Sequence, residues 1–306
     1  MRISSTSQRT GGITGIRPTN WYNQAMSRQA TTRKEVPEQA LLEGIPEWMR
    51  PSIERFIAQK ITGRDVAETG LPFHAKMHTV NAIERYLQVQ LEQSSPVNTY
   101  RHIMRYILDD EQCLDVIEAI LATDAHVEYL LSPLNNILTT SGSKWIAVMQ
   151  DSGQATLEER VSESAQNALA IAIKESDTTT QQFLKTAWGS AFGRSPDASS
   201  AYSNSIKAIE AAAWPTITPN DNKATLGTML GAIRSNIGKW KTATTDKDPD
   251  QGITAIKDIM QLIWDGQTDR HGTAHPVTPS QEAAEQDVLY AVVVCNFFNR
   301  NLVTKS

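Results

Sequence analysis

Apolar residues recur every three or four positions along most of the chain, which is the period of an amphipathic helix. In the first half the pattern predicts four helices, over residues 46–61, 74–93, 98–108 and 112–131. Gly142 and Ser143 then interrupt the pattern. Trp145, Ile146 and Val148 follow, and they leave two interpretations open: a short strand or the start of another helix.

The second half shows the same period in shorter, better separated segments. Residues 150–154 form a polar loop, and Thr156 with Glu159 has the spacing of a capping box that opens a helix. Asp177 is the expected cap of the next helix. We then expect helices over 198–213, 225–240 and 251–264, the first of them ended by Trp214-Pro215.

A second capping box, Thr278 to Gln281 with Pro279 at the first helical position, predicts the last helix. Five or six amphipathic helices joined by short loops are typical of an antiparallel bundle. The sequence therefore predicts an all-α fold, with an N-terminal helical region and a C-terminal helical bundle. Its apolar stripes also predict a core position for four tryptophans, Trp48, Trp188, Trp240 and Trp264.

Charge divides the chain more sharply than hydropathy does. Residues 1–34 carry six basic side chains and no acidic one, so the net charge of −5 separates into +6 on this segment and −11 on the rest. The segment has few large apolar residues and is predicted to be a flexible arm. Three interpretations stay open for it: a solvated tail, an organelle-targeting peptide, or a phosphate-binding arm. In the last case the nucleic-acid contacts would come from Arg9, Arg17, Arg28, Arg33 and Lys34.

Composition narrows the protein class. No run of apolar residues is long enough for a transmembrane helix, and no secretory signal is evident, so we expect a cytoplasmic protein without membrane contact. The two cysteines, Cys113 and Cys295, are too few for a disulfide framework. His74 and His78 have the spacing of two zinc ligands on a helix, but residue 75 is Ala and no third ligand follows. We expect no metal and no cofactor.

The densest cluster of reactive groups is Asp269-Arg-His-Gly-Thr-Ala-His275, between the last two predicted helices. An arginine can hold a phosphate through two donors, and a histidine can transfer a proton near neutral pH. Gly272 lets the backbone turn tightly. These groups suit metal-independent cleavage of a phosphodiester, with Arg270 stabilising charge on the phosphorane. In the structural alternative, Arg270 pairs with a carboxylate and His271 or His275 binds a carbonyl group.

The segment from about Pro196 to Leu302 resembles the HEPN superfamily, and within it the C-terminal domains of abortive-infection (Abi-like) proteins. Four stretches carry the resemblance: residues 201–210, residues 223–227, residues 262–272 and the alanine-rich helix from Gln281. Members share an arginine, often a polar residue, and a histidine four to six positions later, an order that Arg270, His271 and His275 match.

The resemblance implies a bacterial or phage-encoded defence protein with metal-independent ribonuclease activity on RNA. It also implies a homodimer whose two motifs face each other. Arg270 would hold the scissile phosphate, His275 would transfer the proton, His271 would support or replace it, and Asp269 would orient one of them. The rival interpretation is a non-catalytic nucleic-acid-binding, oligomerisation or regulatory module. A phage-derived trigger or an inhibitory partner is also expected.

Glu210 is the remaining candidate, and two interpretations of it stay open. It could be the internal partner of Arg270, or it could form a surface pair with Lys207 three residues earlier. With the resemblance included, the predicted domains are a basic flexible arm over 1–34, a helical domain of unknown role over 35–150, and a HEPN-like helical bundle over 151–306.

Overall fold

The computed structural model describes residues 41–62, 74–243, 249–266 and 279–305, with the side chains of 249 and 250 left out. Within this part the chain forms eleven α-helices and two small antiparallel sheets. The fold is mostly helical, so the prediction of an all-α protein is wrong in its strict form. The strands occupy positions where the helical period fails or where the chain returns to pair with an earlier segment.

Five helices form the first half: α1 (Arg50–Thr62), α2 (Met77–Leu87), α3 (Pro96–Tyr106), α4 (Asp110–Thr123) and α5 (Glu128–Thr140). They enclose what we call the first core, a cluster of buried residues between Ile45 and Leu157. Most of its members are isoleucine, leucine and valine, with Cys113 fully buried among them. Burial raises the pKa of the Cys113 thiol to about 12.

The predicted helix over 112–131 is two helices in the structure. α4 ends at Thr123, and Asp124 then takes an extended conformation while its side chain accepts the N–H of His126 at 2.9 Å. This local hydrogen bond offers the backbone an alternative to the helical ladder. Trp48 also departs from prediction. It lies in a turn before α1 and is 68% exposed, so it is not a core residue, although its Nε1 donates to the carbonyl of Ser141.

A β-hairpin follows the first five helices. Strand β1 (Trp145–Met149) pairs antiparallel with β2 (Ala155–Glu159), and Gly153 takes a positive φ of 80° in the turn between them. The predicted helix start at Thr156 is therefore wrong. Ala155 and Leu157 alternate into the first core, whereas the Thr156 hydroxyl donates to Glu118 at 2.7 Å instead of capping a helix. An alternating burial pattern fits a strand and excludes the helical period.

The first helix of the second half begins six residues beyond the predicted start, with Ser162 rather than Thr156 as its cap. The six helices are α6 (Glu163–Glu175), α7 (Thr178–Phe192), α8 (Ala198–Ile217), α9 (Leu226–Ser235), α10 (Pro249–Asp265) and α11 (Gln281–Asn299). They surround the second core, a cluster of buried residues between Ala172 and Val303. Cys295 is fully buried in it, and burial raises the pKa of its thiol. Asp177 caps α7 as predicted, by accepting the N–H groups of Thr179 and Thr180.

Two helix ends differ from the sequence pattern. α8 runs through Trp214 and Pro215 to Ile217, so the expected stop at these two residues is wrong. The helix in the 225–240 segment ends at Ser235, and a short 3₁₀ turn leads into β3 (Trp240–Thr242). β3 pairs antiparallel with β4 (Val303–Lys305) near the end of the chain. This pairing, invisible to local periodicity, decides the conformation of Trp240, which is 3% exposed.

Arg194, between α7 and α8, joins the two cores. Its side chain is 8% exposed, and its guanidinium contacts three carboxylates on α4: Glu118 at 3.1 Å, Glu111 at 3.4 Å, and Asp115. Glu158 of β2 makes a second link, since it accepts the indole N–H of Trp188 at 3.2 Å. Burial raises the pKa of Glu158, even though hydrogen bonds from Gln150 and Trp188 act in the opposite direction.

Candidate functional site

Most of the sequence-predicted site residues lie outside the described part of the chain. They are Asp269, Arg270, His271, Gly272 and His275, together with the arm residues Arg9, Arg17, Arg28, Arg33 and Lys34. The structure does describe the helices on both sides of residues 267–278, and it describes Glu210. The framework of the predicted site can therefore be built from its two flanks.

The helix before the predicted site, α10, is attached to α8 close to its last turn. The hydroxyl of Tyr202 donates to the carbonyl of Ile263 at 2.6 Å, and Tyr202 is itself buried. Gly266 then closes the helix by donating its N–H to Leu262 at 3.1 Å. A phenol bonded to a carbonyl near the helix end sets where the chain leaves α10, three residues before Asp269.

A close contact between helices adds a second attachment. Gly227, in the first turn of α9, lies against the indole of Trp264, and a Cβ at position 227 would come within 2.2 Å of Trp264 Cζ2. No other residue fits there without moving the indole, because real Cβ atoms do not approach a ring atom so closely. Glycine at position 227 thus lets the first turn of α9 pack against the last turn of α10. Trp264 itself is partly buried against the second core, in agreement with the sequence pattern.

Glu210 occupies a position that connects this contact to α8. Its Oε1 accepts the backbone N–H of Leu226, the first residue of α9, at 2.6 Å. A carboxylate is favourable at a helix N-terminus because the first N–H groups lack intrahelical partners and the macrodipole is positive there. Thr225 and Thr228 complete the cap with reciprocal hydrogen bonds. Glu210 therefore fixes the start of α9, and its pairing with Arg270 stays a prediction.

The helix after the predicted site, α11, begins at Gln281. Its cap is Ser280, whose hydroxyl accepts the N–H of Ala283 at 3.2 Å, so the predicted capping box from Thr278 is wrong by two residues. The side chain of Gln281 donates to the carbonyl of Ala191 near the end of α7. Both flanks of residues 267–278 are thus bonded to the helices that form the second core.

A cleft of about 680 Å³ opens between α7 and α8, and we call it the α7–α8 cleft. Its lining includes Phe183 of α7, Lys207, Glu210 and Trp214 of α8, and Asn222 of the connection to α9. The ammonium group of Lys207 lies 5.9 Å from the centroid of the Phe183 ring. The described part of the chain offers Lys207 no carboxylate within ion-pair distance. The cleft therefore combines aromatic surface with a lysine that has no anionic partner among the described residues.

Hydrogen bonds hold the remaining groups of the cleft in place. The indole N–H of Trp214 donates to the carbonyl of Asp221 at 2.8 Å, which fixes the orientation of a ring that is still 38% exposed. Asp177 lies at the α7 end. Burial raises its pKa, but hydrogen bonds from Thr180 and Thr179 more than offset this, and the net pKa is lowered.

Sequence reasoning missed most of this cleft. Lys207, Glu210 or Ala211, and Trp214 are spaced by three or four residues and so share one face of α8. That spacing could have indicated a polar and aromatic stripe beside the buried stripe of Ile206, Ile209 and Ala213. The sequence pattern did not indicate this stripe, because Trp214-Pro215 was interpreted as the end of the helix.

The two histidines with zinc-like spacing do not share a helix face. His74 precedes α2, which begins at Met77, and both His74 and His78 are exposed. Across the described ranges, no group of three or more histidine, cysteine or carboxylate side chains is arranged to hold a metal ion. Nor does any helix in these ranges have the length and apolar character needed to cross a membrane.

Comparisons with models of known protein families, with curated proteins and with solved structures found no match to this chain. The resemblance to the HEPN superfamily consequently depends on the residues quoted for it, and it enters the functional argument as a hypothesis.

Proposed function

We propose that this chain is a metal-independent endoribonuclease of the HEPN type, acting in defence against phage. The observation that carries the proposal is the sequence from Asp269 to His275, which places one guanidinium and two imidazoles between two consecutive helices. Both of these helices are bonded to the second core beside residues 267–278, through Tyr202 and Gln281. Such a framework suits a catalytic segment, because reacting groups must be held in a fixed geometry.

The proposed reaction needs only groups of this chain and its RNA. His275 removes the proton from a ribose 2′-hydroxyl, and the 2′-oxygen attacks the adjacent phosphorus. The P–O5′ bond breaks and the leaving oxygen takes up the proton held by His275, which leaves a 2′,3′-cyclic phosphate on one product and a 5′-hydroxyl on the other. Arg270 stabilises the additional negative charge on the phosphorane. His271 supports or replaces His275, and Asp269 orients one of these side chains.

Dimerisation belongs to the same proposal. One Arg270 segment per chain provides few groups, whereas a two-fold axis would bring two such segments to one cleft. Negative charge on residues 35–306 disfavours extended duplex binding, so contacts with RNA would be local, at the basic arm and at the Arg270 segment. We further propose a phage-derived trigger or an inhibitory partner for residues 35–150.

The test is cleavage of an end-labelled single-stranded RNA by the full chain in the presence of EDTA. We expect products ending in cyclic phosphate, and Arg270→Ala or His275→Ala should slow cleavage by about 100-fold or more, a typical loss for proton-transfer or charge-stabilising groups. Arg101→Ala and His126→Ala are matched controls, since both residues are exposed on the first half, and they should keep full activity.

The outcomes separate the rival hypotheses. RNA that is bound but not cleaved by the wild-type protein, with binding lost in Arg270→Ala, would identify a non-catalytic RNA-binding module. Cleavage that persists in both variants would make the site assignment wrong. Cleavage abolished by EDTA would contradict the metal-independent mechanism.

A further inference from the structure

We infer that the α7–α8 cleft is a binding site for an unpaired nucleotide, with the base on its aromatic side and the phosphate at Lys207. This site is made of described residues only. The inference does not depend on the proposed nuclease activity.

Size is the first argument. The cleft volume of about 680 Å³ lies within the range of pockets that hold small organic ligands. A nucleoside phosphate is of this size, whereas a bare anion such as phosphate would leave most of the cleft unfilled. The occupant should therefore have an organic body as well as a charge.

The aromatic side chains indicate what kind of body fits. Phe183 and Trp214 line the cleft together with Ala211 and Pro215, so much of its wall is apolar. The Trp214 ring is partly exposed and is held by the hydrogen bond to Asp221, so it is positioned before any ligand arrives. Flat aromatic heterocycles stack on such surfaces, as bases do on aromatic side chains.

Lys207 indicates the charge of the ligand. Its ammonium group lies near the Phe183 ring and has no ion-pair partner in the described ranges, whereas the nearby carboxylates of Glu210 and Asp177 already accept backbone N–H groups. An anion at Lys207 would gain charge-assisted hydrogen bonds without displacing an existing partner. Asn222, which lines the same cleft, can donate to and accept from the edge of a base.

A planar heterocycle joined to a phosphate satisfies all of these features, and this is the chemistry of an unpaired nucleotide. The nucleotide could be free or could be part of a single-stranded RNA. A base-paired residue would not fit, because its two faces are stacked and its edge is occupied.

The experiment is calorimetric titration of the full-length protein with AMP or GMP, the corresponding nucleoside, and ribose 5-phosphate. We expect the nucleotide to bind about tenfold more tightly than either fragment, since each fragment lacks one half of the contacts. Lys207→Met should weaken nucleotide binding by about tenfold and leave nucleoside binding unchanged. Trp214→Ala should weaken binding of both nucleotide and nucleoside, and Trp214→Phe, which keeps a ring but loses the hydrogen bond to Asp221, should weaken them less.

Two controls keep the result specific. Lys185→Met removes a lysine that is paired with Asp151 in a neighbouring groove, and Trp48→Phe alters an exposed tryptophan of the first half. Neither substitution should alter nucleotide binding. The unfolding midpoint of each variant shows whether it is folded. Because Lys207 is exposed, Lys207→Met should stay folded, and it tests the site even if Trp214→Ala unfolds.

A single-stranded hexaribonucleotide and a blunt RNA duplex identify the source of the ligand. Tighter binding of the single strand than of AMP, with the same dependence on Lys207, identifies an unpaired RNA residue, and tighter binding of AMP identifies a free nucleotide. Absence of nucleotide binding at millimolar concentration, unchanged affinity in Lys207→Met, or preference for the duplex would overturn the inference. RNA cleavage is measured in a separate assay that does not depend on this titration, so failure of the nuclease proposal would be seen separately.

Discussion

The two cores are built from different side chains. Buried isoleucines, leucines and valines fill most of the first core. The second core contains nine buried alanines, on the helices α6, α7, α8 and α11: Ala172, Ala187, Ala191, Ala201, Ala208, Ala212, Ala213, Ala284 and Ala291. Small side chains let helices approach closely, so the second core is filled largely by the helices themselves, and the first by branched side chains between helices.

The difference in side-chain composition between the two cores matters because both candidate sites belong to the second one. The α7–α8 cleft and both flanks of residues 267–278 belong to the helices around the alanine-rich core. Close helix contacts leave little freedom for the backbone to adjust, so the groups on these helices keep their spacing. We expect the first core, with its longer side chains, to tolerate local repacking better. The predictions below test this contrast, from the largest expected effect to the smallest.

Breaking the link between the cores should have the largest effect. Arg194→Met leaves Glu118, which is 16% exposed, without its cation. Because Glu111 and Asp115 are more exposed and stay solvated, we expect a loss of about 3 kcal/mol of unfolding free energy, the lower end for a broken buried ion pair. Urea unfolding measures this loss of free energy. Lys185→Met is the control, because its partner Asp151 is exposed, and it should cost less than about 1 kcal/mol. Equal losses in the two variants would show that Arg194 is not a structural link.

A crossed pair of core substitutions tests the contrast itself. Ile117→Ala should open a cavity in the first core and cost about 2–5 kcal/mol, whereas Ala208→Leu should overpack α8 and cost about 1–3 kcal/mol. Urea unfolding measures both. Only Ala208→Leu should also weaken nucleotide binding, because position 208 adjoins Lys207 on α8. If Ile117→Ala weakened nucleotide binding as much, the cores would not be independent in this respect.

The smallest effect concerns one carboxyl of α11. Burial raises the pKa of Asp287 to about 6, from an ordinary value of 3.8. The folded state therefore holds its proton to higher pH than the unfolded state does, and stability falls as pH rises through this window. Asp287→Asn should raise stability at neutral pH by about 1 kcal/mol, allowing for partial solvent screening, and should have little effect in more acidic solution. Thermal unfolding across this pH range measures the difference, which the exposed Glu175→Gln should not reproduce.

The sequence predicts the helices well where one face is apolar and a cap is local. Asp177 caps α7, and the buried residues of α8, α9 and α11 follow the expected stripes. The strand alternative for residues 145–148 is confirmed, but the second strand of the hairpin was missed because Thr156 and Glu159 have the spacing of a capping box. The alternating burial of Ala155 and Leu157 depends on the first core. Gly153 and the polar residues around it were the sequence signals for a turn, and in the structure Gly153 takes a positive φ there.

Long-range contacts account for the remaining differences. Trp240 becomes a strand residue because it pairs with Lys305, sixty-five positions away in the sequence. The sequence around Arg194 does not indicate its role, because its three carboxylates lie on a helix that ends seventy-one residues earlier. For the candidate sites, the sequence identifies the Asp269–His275 chemistry, but the cleft arises only when α7 is placed beside α8.

The two cysteines have a consequence for measuring the protein's motions. Each core holds one fully buried thiol, Cys113 in the first and Cys295 in the second, and burial raises the pKa of both. A thiol reagent reacts with the thiolate, so each cysteine is protected until its own surroundings open. Each half of the chain thus contains one cysteine whose rate of alkylation reports how often the core around it opens. Pulse alkylation followed by mass spectrometry would measure both rates without an added label.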